Sequence, residues 1–274
     1  LAYVSGTAIS DQEKLTEIGR RLQQHVEQDT KRCYPKGNWG NKYAELHKEQ
    51  LVSPTGKRLV AIPHLSGMAD RVVGFSTALM LAILSNRAFQ MGKRGKLPAF
   101  EEAFESPSIN WTRGHDPDWL IEPLAEKANP RNYNQSVLES KEYYAVNTIN
   151  DIRLQDSLLR KDVAVIMGND ARTTMFVGNR GKTIRMFENE HYNKRLVEEM
   201  GLTPYTLFGC LVNFMMQPKK EIFLPVFDQF KQMSEVDNKV LKISIQIRAG
   251  DHVWGNNNHN SEAEGKAVLA SFDR

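Results

Sequence analysis

The sequence predicts an α/β fold with an open sheet, on three observations. Residues 59–63, Leu-Val-Ala-Ile-Pro, form a short apolar run with the signature of a buried strand. A turn, His64-Leu65-Ser66-Gly67-Met68-Ala69-Asp70-Arg71, leads from it into the almost wholly apolar stretch 72–84. Two further runs, 163–167 and the alternating 243–247, read as additional buried strands. Strand, glycine-containing turn and apolar helix in that order place the turn outside the carboxyl end of a strand, where open α/β sheets bind ligands.

Ahead of that unit, Leu15, Ile18, Leu22 and Val26 recur at spacings of three and four. They predict a helix over 11–30, capped by Ser10 or Asp11. Cys33-Tyr34-Pro35-Lys36-Gly37 breaks it, and Tyr43 to Leu46 begin a second, short helix. After the central helix, 88–91 reads as a second strand. The stretch 92–130 is rich in Pro, Gly and charge and holds Trp111, Arg113, His115 and Trp119; its two tryptophans either line a sugar site by stacking or anchor a long loop. His115, Asp116 and Asp118 are too closely spaced in a loop to make a metal site, so no metal is expected.

Residues 161–170 read as a buried strand ending in a turn, and 173–177 as another strand. Gly181-Lys182-Thr183 imitates the end of a phosphate-binding loop, but the required upstream glycine is Phe176, which rules that motif out. Residues 192–200 read as helix, 205–218 as an apolar helix stopped near Pro218, and 221–233 as a long helix. Last, Ile243, Ile245 and Ile247 share one face of a strand that ends at Arg248-Ala249-Gly250-Asp251. A strand-end arginine beside glycine suits an anion: the fork matches phosphate oxygens and the glycine lets the ligand approach.

Composition sets the outer limits. The 274 residues are 41% hydrophobic and 25% charged, enough for a sizeable core, and a net charge of +3 is no nucleic-acid footprint. Cys33 and Cys210 are the only cysteines, and neither lies in a C-x-x-C pair. Two separate buried thiols are expected, with a disulfide as the alternative. The apolar stretch 72–84 is too short to span a bilayer and is flanked by Arg71 and Arg87. A Ser-His-Asp hydrolase is excluded by the lack of a G-x-S-x-G elbow.

Two segments carry a family resemblance. Ser66-Gly67-Met68-Ala69-Asp70-Arg71, followed after the helix by Ser85-Asn86-Arg87, resembles the first signature of the plant-type cell-wall fucosyltransferases, S-G-L-G-N-R and then T-N-R or T-D-R. Ala69 replaces its second glycine and Asp70 its asparagine. Ile245 to Asp251 resembles the strand I-x-x-R, often R-x-G-D, shared by α1,2-, α1,6- and protein-O-fucosyltransferases. The resemblance covers roughly residues 30–255. It implies a GT-B type glycosyltransferase: an acceptor-side α/β domain over 1–240 and the start of a Rossmann-like nucleotide-sugar domain over 241–274.

The implied reaction moves fucose from GDP-fucose to a carbohydrate hydroxyl, with inversion and without cofactor or metal. Arg248 would contact the diphosphate, with Asp251 at the frequent acidic position. Gly67, Asp70 and Arg71 would lie on the donor side of the cleft. Asn179 corresponds to an asparagine of an S/T-D-N segment, whose aspartate is Gly178 here, so no general base is assigned. Asn179, Arg180, Trp111 and His115 are the candidates for the acceptor side. The family implies the Golgi lumen and an anchored full-length enzyme. The sequence is read as a piece of such an enzyme, because it starts at Leu1 and its last motif is cut short, and on its own it is expected to turn over little. The competing expectation is a non-catalytic carbohydrate- or nucleotide-binding α/β domain.

Overall fold

A computed structural model describes residues 9–64, 67–92, 100–112, 143–148, 157–158, 160–179 and 181–233. Two compact units divide the chain, Leu1–Phe227 and Asp228–Arg274. In the second, the described residues 228–233 are helical, and the expected strand 243–247 lies outside the described residues.

The first unit is organised on a four-stranded parallel sheet with strand order β2-β1-β5-β4. Strand β1, Arg58–Ile62, pairs on one side with β2, Ala88–Met91, and on the other with β5, Thr173–Val177. Strand β4, Tyr143–Asn147, closes the far side against β5. Leu59 and Ala61 face one side of the sheet and Val60 and Ile62 the other, and all four are buried. That double burial explains the continuous apolar run, which is what a strand covered on both faces reads as.

Helix α1, Asp11–Cys33, starts with a capping box in which Ser10 Oγ accepts from Glu13 N and Glu13 reaches back to Ser10 N. Helix α2, Trp39–Val52, guards the outer edge of β2. Tyr43 Oη accepts from Phe89 N at 3.1 Å and donates to Arg87 O at 2.9 Å. His47 Nε2 donates to Phe89 O at 2.8 Å. These side chains supply partners that an edge strand otherwise lacks. Helix α3, Met68–Leu84, is buried continuously from Gly74 to Leu84 and packs on β1 and β2. Ser76 and Thr77 tolerate this because both hydroxyls donate to Val73 O.

The expected strand over 163–167 is instead a single helical turn, α5, Val163–Ile166; the short α4, Phe100–Ala103, precedes it in the chain. Asp162 caps α5 through Ala164 N, Gly168 ends it at φ +69°, and Val165 is 54% exposed. An apolar run of this length fits a strand or a helical turn equally, and here the capping residues decide. Residues Arg195–Glu199 form a π-helical turn. Helix α6, Leu207–Met215, packs on α3 and α1, and is followed by β6, Gln217–Pro218, which pairs antiparallel with β3, Phe104–Glu105. The expected long helix over 221–233 divides into a 3-10 helix, Lys220–Val226, that contains Pro225, and α7, Phe227–Met233.

The two cysteines are joined, which corrects the expectation of separate thiols. Cys33 at the end of α1 and Cys210 in α6 form a disulfide, with Cα atoms 5.3 Å apart. Nothing local signals the pairing, because 177 positions separate the partners. Among the described residues no helix is long and apolar enough to cross a membrane.

Candidate functional site

Strand order points to a place on the sheet. From β1 the chain crosses to β2 on one side, and the later strands β4 and β5 lie on the other. The β1/β5 boundary is therefore where the order reverses, the position at which open parallel sheets form a crevice outside the strand carboxyl ends. Ile62 pairs with Val177 and Val177 with Asn147, so residues 63–64, 178–179 and 148 all leave the sheet at this edge.

Gly67 is the N-cap of α3 and has no side chain with which to cap the first-turn N–H groups. Arg71 N closes the first turn on Gly67 O at 3.2 Å. Asp70 is exposed on that turn and suits the dipole. Arg71 is different: it is only 8% exposed, and its Nε and Nη1 are buried with no hydrogen-bond partner among the described residues. Its guanidinium carbon sits 5.7 Å from the centre of the Phe100 ring, an attractive cation–π contact that satisfies no N–H.

Helix α3 and the end of β5 approach more closely than side chains permit. A Cβ on Gly74 would stand 2.1 Å from Gly178 O. Just beyond, Lys182 N donates to Thr77 Oγ1 at 3.2 Å, and the Lys182 side chain is 5% exposed. Asn179 Oδ1 is buried without a partner among the described residues. Thr148, buried at the end of β4, is tied back by its N and Oγ1 to Val177 O. This edge thus holds a helix N-terminus, a buried guanidinium with two unused donors and a buried amide oxygen. A buried cation without a partner is costly, and a bound anion in reach of the fork removes that cost.

Gly67, Asp70 and Arg71 thus follow β1, and Asn179 follows β5, at the same edge of the sheet. Trp111 does not line a site: it is 1% exposed and its Nε1 donates to Met215 O at 2.6 Å, so its ring anchors the segment after α4 to the core. Arg180, His115, Arg248 and Asp251 lie outside the described residues. Lys182, Gly74 and Thr148 were not singled out from sequence. Lys182 alone carries a signal, the Gly181-Lys182-Thr183 tripeptide, which falls with the phosphate-binding loop it imitates. Arg87, in the second half of the first motif, works at the opposite edge. It donates to Ala171 O at 2.8 Å and Gly168 O at 2.6 Å, and burial brings its pKa down to about 10.

Among the described residues no group of three or more His, Cys, Asp and Glu could hold a metal. A cavity of about 880 Å³ opens elsewhere, between α1, α6 and the β3–β6 ribbon, and is lined by none of the candidate residues.

No family model matches the chain. No curated protein matches it. Among solved structures, a mutant of Arabidopsis thaliana FUT1 in complex with GDP is similar at 13% sequence identity and a TM-score of 0.49, over 85% of this chain and 54% of that one. The chain thus spans about half the length of the solved protein it matches.

Proposed function

We propose that the chain is the acceptor-side α/β domain, with the start of the donor domain, of a GT-B glycosyltransferase that transfers fucose from GDP-fucose to a carbohydrate hydroxyl. The observation that carries this is Arg71, buried in the first turn of the helix that follows β1, with Nε and Nη1 unpartnered among the described residues. The two fucosyltransferase-like motifs, Ser66 to Arg71 and Ile245 to Asp251, support the choice of donor because they occur in the expected order. The disulfide suits an oxidising compartment, as a Golgi lumenal location requires.

In this reading the bond from the sugar's anomeric carbon to the diphosphate oxygen breaks while the acceptor oxygen bonds that carbon from the opposite face. The acceptor proton passes to a base that no residue is assigned to. Negative charge grows on the departing diphosphate, and fixed cations stabilise it without reorganising. Arg248 takes that role from the donor domain; Arg71 and the first turn of α3 add positive potential from the acceptor-side domain.

The test is calorimetry and kinetics on the full-length protein with GDP-fucose, GDP-mannose and UDP-glucose. GDP-fucose is expected to bind best. Arg71→Gln should weaken its binding about 10- to 100-fold, the loss of one or two charge-assisted hydrogen bonds. Arg248→Ala should lower kcat/KM about 10²- to 10³-fold, and Arg248→Lys should not restore it, because an ammonium cannot replace the fork. Wild-type kinetics in folded Arg248→Ala would overturn the donor assignment. Binding of GDP-fucose without any transfer would favour the non-catalytic binding domain instead.

A further inference from the structure

We propose that the cavity between α1, α6 and the β3–β6 ribbon is a binding site for a neutral oligosaccharide. It measures about 880 Å³, within the range of small-molecule sites. The Cys33–Cys210 disulfide, Tyr34 and Phe214 border it, and both rings pack on Trp39, at 5.5 and 5.2 Å between centres. Around this apolar side stand the neutral hydrogen-bonding groups of Gln23, Asn38, Asn41 and Ser108.

Charge decides between ligand classes. Lys219 and Lys220 are offset by Asp29, Glu105 and Glu221, which leaves no cation excess to hold a phosphate or a uronate. The amides and carboxylates equally disfavour a lipid tail, which would take water from them and offer no hydrogen bond in return. Amides beside the half-buried Tyr34 ring match a ligand with hydroxyl rims and apolar ring faces.

Gly19 adds an independent observation. It interrupts α1, where glycine is about 1 kcal/mol less favourable than alanine. Packing does not require it, because a Cβ there would meet nothing within 4 Å. It lines the cavity, so its missing side chain leaves space on the ligand side. The cavity wall at Glu105 adjoins Phe104, which stacks on Phe100 at 5.7 Å, the ring under Arg71. If the transferase reading holds, the ligand is the far part of the acceptor glycan; binding of a neutral glycan does not depend on that reading.

The experiment is calorimetry on the full-length protein with cellohexaose, maltohexaose and triacetylchitotriose as neutral probes and an oligogalacturonide as the charged one. At least one neutral probe should bind with Kd of about 1 mM or tighter. Gly19→Leu, whose Cβ meets nothing within 4 Å, should weaken it at least tenfold while the melting temperature does not fall and GDP affinity stays at its wild-type value. Gly19→Ala should bind more weakly while melting no lower than wild type. Failure of all neutral probes, insensitivity to Gly19→Leu, or tighter binding of the oligogalacturonide would overturn the proposal. Arg71→Gln separates the two readings: it should weaken GDP binding and leave the neutral glycan unaffected.

Discussion

Single atoms set the limits at the sheet edge. Gly74 is there because the carbonyl of Gly178 occupies the space a side chain would need. Gly74→Ala should force α3 away from β5 and cost about 1–3 kcal/mol, the usual range for overpacking. Urea unfolding measures this, and a wild-type midpoint would contradict it. Because Arg71 lies one turn earlier on the same helix, the variant should also bind GDP-fucose less well. The neighbouring turn was legible from sequence, since strand, glycine, charged pair and apolar helix follow one another locally. Its contact with Gly178 was not, because the partner lies more than a hundred residues away. For Trp111 the sequence leaves lining and anchoring both open for the same reason: the carbonyl that decides for anchoring, Met215 O, is 104 positions further on.

At the scale of elements, α5 depends on one polar group of side chains. Tyr192 Oη donates to Asp162 Oδ1 at 2.5 Å and accepts from Val163 N at 3.0 Å, while Asp162 also caps Ala164 N. Burial, then the hydrogen bond to Asp162, pushes the Tyr192 hydroxyl up to about 12. The hydrogen bond from Tyr192, followed by that from Ala164 N, holds the Asp162 carboxyl below its ordinary value. The raised Tyr192 contributes stability that is complete below about pH 10 and lost as the pH rises toward 12. The lowered Asp162 contributes stability present above its ordinary pKa and lost in acid. Tyr192→Phe should lower the melting temperature near neutral pH and flatten its decline between pH 10 and 12. An unchanged alkaline limb would show that Tyr192 does not titrate there. Elements with periodic or bounded apolar patterns, α1, α3, β1 and β2, were readable in sequence. The 163–167 run was not, because Asp162 and Gly168 outweigh its β-branched residues, and β4 was passed over between polar stretches.

Across the whole first unit, one hydrophobic cluster joins α1, α2, α3 and α6 to the sheet, and the disulfide lies inside it. Cys210→Ser should destabilise the protein by about 2–5 kcal/mol, the range for removing a native disulfide. Thermal unfolding with and without reductant checks this: reductant should lower the wild-type melting temperature and leave the variant unchanged. The same bond has a mechanical consequence. β1, β2, β4 and β5 all lie between Cys33 and Cys210, so a tension applied at the two ends of the chain passes through sulfur and leaves the sheet unloaded. With the bond intact, about 600 Å of contour length stays hidden from a stretching experiment, and a reductant should release it in one step.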